Sequence, residues 1–135
     1  MLRFAVPALL LLSGCAMTAE ESQRQAAADA REEAKLAKEL AGYTPSAPVN
    51  CIDPRSTNVQ IYGDTLVYSS VGRRKYRVDT NGGCFGLRRD DIIVTRSFSS
   101  QLCRGDLVRT VDRTSGFPSG ACTFGEFVPY TRDRG

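Results

Sequence analysis

The chain contains no histidine and no tryptophan. Histidine is the side chain that most often acts as a general base near neutral pH, and it is the commonest metal ligand. Without it a cysteine or serine nucleophile has no imidazole to activate it. The Ser-x-x-Lys and Gly-x-Ser-x-Gly motifs of serine enzymes are also missing. The composition therefore argues against an enzyme, and we expect no metal ion and no cofactor.

Cysteine is scarce but informative. None of the five cysteines forms a Cys-x-x-Cys pair, so neither a zinc ribbon nor a thioredoxin-type redox centre is indicated. Cys15 stands apart from the rest, directly after Leu-Ser-Gly. The remaining even number is typical of a disulfide framework in a small exported domain. These four residues are Cys51, Cys84, Cys103 and Cys122.

The start of the chain has the layout of a secretory signal. Arg3 supplies the positive charge, residues 4–12 are apolar, and small residues precede Cys15. This arrangement resembles the bacterial lipobox, in which the cysteine thiol takes a diacylglyceryl group and becomes the first residue of the mature protein. A membrane-spanning anchor and a plain secretion signal are the alternatives, but spanning needs ~20 apolar residues. We expect a signal peptide at residues 1–14 and lipidation, palmitate included, at Cys15.

The resemblance to lipoproteins also implies a location. Acyl chains on Cys15 supply more than the two signals that stable membrane anchoring needs. The next residue is Ala16 and not the aspartate that holds many Gram-negative lipoproteins at the inner membrane. We therefore expect a lipid-anchored protein on the periplasmic face of the outer membrane.

Residues 15–49 are expected to form a helical spacer and a linker. Residues 16–42 are rich in strong helix formers, and Gly42 followed by Pro45 supplies a stop. Alanines recur at spacings of three and four, but an alanine seam buries too little area for a stable coiled coil. We interpret this segment as a solvated helix of ~36 Å. A semi-extended linker follows at residues 43–48.

Residues 50–135 form the domain proper and are expected to be mainly β. Gly63-Asp64 predicts a hairpin, and alternation predicts that Tyr76 and Val78 face inward. In the segment 107–111, Leu107 is expected to be buried together with Thr110 or Val111, according to register. The spacing of the segments favours a small antiparallel barrel or sandwich. The predicted strands are 58–62, 65–71, 75–79, 92–95, 107–111 and 122–128, with Pro129 ending the last.

Two disulfides are expected to stabilise a core that would otherwise be marginal, at ~2–4 kcal/mol each. Four cysteines allow three pairings, which sequence alone leaves open. Cys84 and Cys122 each lie just before an aromatic residue and a glycine. This similarity favours Cys84–Cys122 together with Cys51–Cys103.

One group of arginines suggests an anion-binding patch. Arg73, Arg74, Arg88 and Arg89 lie in the loops that flank the strand at 75–79. If these loops share one end of the barrel, the patch suits lipid A phosphates, peptidoglycan carboxylates or an acidic protein. The alternative is ordinary surface arginine paired with neighbouring aspartates. The net charge is only +3, and the basic residues form no concentrated stripe along the sequence. We therefore expect no nucleic acid as partner.

Five short stretches resemble a family of small Gram-negative envelope lipoproteins of unknown function. They are Cys51-Ile52-Asp53, Tyr76-Arg77-Val78, Cys84-Phe85-Gly86-Leu87, Ser100-Gln101-Leu102-Cys103 and Gly125-Glu126-Phe127, spread over residues 50–130. The resemblance implies an envelope location and a disulfide framework, and it carries over no activity or site.

Three functions follow as hypotheses. The first is a non-enzymatic, lipid-anchored periplasmic protein that acts as a binding or structural module. The second is a periplasmic inhibitor of a cell-wall hydrolase, since small lysozyme inhibitors share this design of β-barrel, disulfides and lipid anchor. The third, an enzyme, has the least support because no catalytic motif is present.

Overall fold

The computed structural model describes residues 18–55, 57–72 and 74–134. Cys15, the predicted signal peptide at residues 1–14 and Arg73 lie outside the described residues. The described elements, in chain order, are α1 (Ala19–Glu39), β1 (Tyr43–Pro45), β2 (Cys51–Ile52), β3 (Thr57–Tyr62), β4 (Thr65–Ser70), β5 (Arg74–Gly83), a 3₁₀ helix (Phe85–Arg89), β6 (Ile92–Arg96), β7 (Leu102–Cys103), β8 (Leu107–Val111) and β9 (Pro118–Arg132).

The strands form a curled antiparallel sheet, which confirms the expected mainly β fold. Its order is β3-β4-β5-β9-β8-β6, and β1 pairs with the far end of β9. The sheet bends into a half-barrel, with the 3₁₀ helix in contact with β3, β6, β8 and β9. The predicted hairpin at Gly63-Asp64 joins β3 to β4. β2 and β7 form a separate two-stranded ribbon.

An irregularity in the central pair of strands builds the aromatic core. Opposite β5, β9 has one extra residue between Phe124 and Phe127, so both rings face inward although they are three positions apart. Gly125 lies within this bulge, where a Cβ would approach the Asp79 carbonyl to 2.7 Å. The two rings pack at 5.4 Å between centroids and contact Tyr68.

Three strand predictions need correction. β8 buries Val108 and Thr110, and Leu107 is only half-buried. The register of β8 on β9 turns the even-numbered residues of β8 toward the core. β5 does not end at the predicted residue 79 but continues to Gly83, since β9 pairs with it there. β9 passes through Pro129, whose carbonyl accepts a hydrogen bond from the Ser46 N–H at 2.9 Å. In each case tertiary pairing overrides the local signal.

The helix begins where local chemistry places it. Thr18 caps α1 in a capping box with Glu21, and the chain turns at Gly42 with φ 76°. Contrary to the expected spacer, the last turns of α1 contact the β-domain and bury Leu36. Residues 43–45, expected as linker, form β1. No helix in the described part of the chain is long and apolar enough to cross a membrane.

Both disulfides follow the pairing that the sequence favours. Cys51 and Cys103 are register partners in the β2–β7 ribbon. Cys84, at the end of β5, is joined to Cys122 on the neighbouring β9. The Cys84–Cys122 bridge is part of the hydrophobic core, whereas Cys51 and Cys103 are half-buried.

Candidate functional site

Arg88 connects three elements at one end of the half-barrel. From the 3₁₀ helix its guanidinium donates to both carboxylate oxygens of Asp64, at 2.7 and 3.2 Å, and to the carboxylate of Asp29 in α1. These hydrogen bonds raise the pKa of Arg88 and, from the other side, lower the pKa of Asp29. Arg88 therefore binds the helix to the sheet.

A second set of contacts holds the other end of the docked segment. Lys75 Nζ donates to the Glu39 carbonyl at 2.8 Å and to the Glu39 carboxylate, and it lies 4.5 Å from the centre of the Tyr43 ring. Burial, together with the nearby Glu39 charge, raises the pKa of Tyr62. Between the two ends, Leu36 supplies the buried apolar contact.

These contacts fix the direction of α1 on the domain. Asp29 lies near the end of β5 and Glu39 near its start, so the helix runs opposite to β5. Its exposed N-terminal half extends ~16 Å beyond Asp29 at 1.5 Å per residue. Thr18, the first described residue, thus lies beyond the end of the domain that carries the 3₁₀ helix. The loop after β6 lies at the opposite end.

A cleft of about 460 Å³ lies between α1 and the half-barrel. Its apolar floor includes Ile61 and Leu87, and its rim carries charges of both signs. Within the residues described, Arg31 is the rim cation that forms no ion pair, since Lys35 pairs with Glu32 and Arg88 with two aspartates. The other lining residues are Gln25, Ala28, Gly63 and Asp90.

The arginines predicted as one patch do not come together. Arg88 and Arg89 follow the end of β5, and Arg74 is its first residue, ~30 Å away along the strand. Arg88 is already paired, and Arg89 lies 3.6 Å from the Asp91 carboxylate. Arg73 is outside the described residues. For the described members, the prediction of a single site fails because a whole strand separates the two loops.

Under the 3₁₀ helix, polar side chains close in on Gly86. A Cβ on this glycine would lie 2.3 Å from Asp91 Oδ2, 2.4 Å from Ser119 Oγ and 2.6 Å from Thr110 Oγ1. Asp91 is only 4% exposed, so its carboxylate is buried beside this glycine. The glycine lets the 3₁₀ helix lie directly on β8 and β9, and this positions Leu87 and Arg88 at the cleft.

Sequence inspection missed two features of the surface. The first is the docking of α1 on the domain. Asp29 could not be distinguished from the other charged residues of the helix, and the one signal for docking was Leu36, a large apolar residue in an alanine-rich helix. Phe98 is fully exposed at the tip of the loop after β6. Hydroxyls fix that loop: Ser97 and Ser99 donate to the Gln101 carbonyl, and the Gln101 N–H donates to Ser99 Oγ at 3.1 Å.

Comparison with known proteins assigns a family and nothing finer. No curated protein and no solved structure matches the chain. The model of one family of unknown function matches residues 1–134, which is nearly the whole length. The chain therefore belongs to the family of unknown function DUF6491.

Proposed function

We propose that this protein is a non-enzymatic binding module of the bacterial envelope, lipid-anchored through Cys15 on the periplasmic face of the outer membrane. The observation that carries the proposal is the docking of α1. The same helix follows Cys15 in the chain and forms one wall of the cleft. Anchor and candidate binding site are thereby parts of one unit.

The disulfides support the location. Paired cysteines persist in oxidising compartments and are rare in the cytosol. Both pairs lie in or beside the sheet, and one belongs to the core. Together with the lipobox-like sequence before Cys15, this supports export of the chain and oxidation of its cysteines outside the cytoplasm.

The cleft suits a ligand that joins an anionic group to an apolar portion. The guanidinium of Arg31 has no carboxylate partner among the described residues and presents paired donors to a carboxylate or phosphate. Ile61 and Leu87 offer apolar surface beneath it. Peptides of peptidoglycan, lipid A and an acidic segment of an envelope protein all have this chemistry.

Anchoring is tested on the full chain purified from membranes. Intact-protein mass spectrometry should show a mass gain from acylation at Cys15 and loss of residues 1–14. Cys15→Ala should move the protein from the membrane to the soluble periplasmic fraction. An unmodified Cys15 in membrane-extracted protein would refute the lipid anchor.

Binding is tested separately with defined probes. A soluble muropeptide and vesicles that contain lipid A are titrated against the full chain, and Arg31→Ala is compared with Arg24→Ala. Arg24 lies on the same helix, pairs with Glu20 and does not line the cleft, so it is the matched control. Loss of binding in Arg31→Ala alone supports the cleft. Equal affinity in all three proteins would reject it.

A hydrolase inhibitor is the second candidate, supported by the loop of Phe98. An exposed aromatic residue on a loop already held by hydrogen bonds reduces the entropy cost of entering a partner's pocket. The loop is also at the end of the domain opposite the N-terminus of α1. Adding the full chain to a lysozyme assay tests this function, with Phe98→Ala expected to abolish inhibition. Unchanged turnover with the native chain would discard it for that enzyme.

A further inference from the structure

β6 is an edge strand with one free side. It pairs only with β8, and in the part of the chain that the structure describes its five residues make no backbone hydrogen bond to any other element. A free edge presents a row of N–H and C=O groups that another strand can bind.

The other edges of the sheet are better protected. β3 has α1 and the 3₁₀ helix against it, and its Ile61 lines the cleft. β1 is three residues long and ends at Pro45, which has no N–H to donate. β6 contains no proline, no lysine and no bulge, which are the usual devices against edge pairing.

The outer face of β6 carries two apolar side chains, Ile92 and Val94, followed by the charged Arg96. Ile92 and Val94 are each 43% exposed, and they alternate with the inward-facing Ile93. On the neighbouring β8, the half-buried Val111 lies opposite Ile92. A strand added to this edge would find an apolar surface on one face and the barrel interior on the other.

The sequence of β6 is complementary to itself when two copies run antiparallel about Ile93. This register places Ile92 of one copy opposite Val94 of the other, on the same face of the sheet. It also brings each Arg96 toward the exposed Asp90 of the other copy. Arg96 forms no ion pair within residues 18–55, 57–72 and 74–134, and Asp90 reaches Arg113 only at 3.7 Å. A register about Val94 would instead set Ile92 against Arg96.

We propose that β6 pairs antiparallel with β6 of a second copy of this chain. The pairing joins two half-barrels into one continuous sheet with an isologous, two-fold interface. In this register residues 92–94 of each copy pair within β6, and so short a contact gives a weak, concentration-dependent dimer. The inference rests on the edge of the sheet alone and is independent of the lipid anchor and the cleft.

Site-specific photo-crosslinking tests the pairing in the full chain. A photoreactive phenylalanine analogue replaces Val94 in one protein and Val59 in another. Val59, on the edge strand β3, is exposed to the same 43%, so it is the matched control. We expect a crosslinked dimer from position 94 and none from position 59. Mass spectrometry should locate the second end of the crosslink at Ile92 of the other copy.

A charge reversal tests the register. Arg96→Glu places two carboxylates together at each end of the pairing, so the crosslink yield from position 94 should fall roughly tenfold. Arg109→Glu, on the neighbouring β8, changes the net charge equally and should leave the yield unchanged. A monomer at every concentration, equal yields from positions 94 and 59, or crosslinks from 94 to other proteins only would each overturn the proposal.

Discussion

Arg88 and Asp29, 59 positions apart in the chain, form the ion pair that joins the helix to the half-barrel. Asp64 shares the same guanidinium, so one arginine holds the β3–β4 turn and α1 together. The contact decides where the long helix lies and in which direction it runs on the sheet. Several properties of the protein depend on it.

Replacing Arg88 should release the middle of α1. Arg88→Ala removes the donors shared by Asp29 and Asp64, so amides of α1 near Asp29 should exchange with deuterium about a few-fold faster. Arg89→Ala is the control, because Arg89 lies beside it on the 3₁₀ helix and contacts Asp91 instead. Equal exchange in the two variants would mean that Leu36 and Lys75 suffice to dock the helix.

Acid should undock the same segment. The hydrogen bond from Arg88 lowers the pKa of Asp29 below its ordinary 3.8. A lowered folded pKa means that the contribution is fully present above pH 3.8 and is lost as pH falls through the folded value. Amide exchange in α1 should therefore rise below that pH. Asp29→Asn should remove this pH step, and a step of the same size in that variant would assign it to another carboxyl group.

Gly86→Ala should destabilise the domain through overpacking. The new methyl group would lie within 2.6 Å of oxygens from three side chains, all on the core side of the 3₁₀ helix. We expect a loss of ~1–3 kcal/mol in the free energy of unfolding by urea. Adding Ser119→Ala removes one of the three oxygens and should recover part of the loss. A double variant no more stable than Gly86→Ala would place the conflict at Asp91 or Thr110.

The two disulfides should differ in their contribution. Their closed loops of 52 and 38 residues predict similar entropy losses in the unfolded chain, ~4 kcal/mol each. Cys84 and Cys122 are only 3% and 5% exposed, so replacing both with alanine also removes core packing. Cys84→Ala/Cys122→Ala should therefore melt at a lower temperature than Cys51→Ala/Cys103→Ala. The reverse order would show that the β2–β7 ribbon matters more to stability than the core sulfurs.

Much of the fold follows from local pattern. Alternation and turn residues predict the β3–β4 hairpin and β6, and the helix formers after Cys15 predict α1, because each signal acts over a few residues. The inward faces of β8 and β9 do not follow in this way. The bulge opposite Val78 and the pairing of β8 with β9 set them, and both depend on strands distant in the chain.

The candidate site follows from the sequence only in part. Arg88 could be singled out as a basic loop residue, but its partner Asp29 lies in a helix that the sequence led us to interpret as a solvated spacer. The prediction of a single arginine patch was wrong because the two loops lie at opposite ends of β5. The sequence alone does not show which loops share one end of a sheet. No sequence pattern predicts that Phe98 is exposed, since its exposure results from where the loop leaves β6.

By itself the sequence determined the chemistry available to this protein. It contains no histidine, it offers four cysteines in an even framework, and it divides into an alanine-rich helix and a β-rich domain, all of which are properties of composition and short-range order. Only the tertiary structure decided that α1 docks through Arg88 and Leu36, that β6 keeps a free edge, and that the described arginines stay apart. These features depend on which distant segments pack together. The native packing is the one with the lowest free energy for the whole chain, and no single segment determines it.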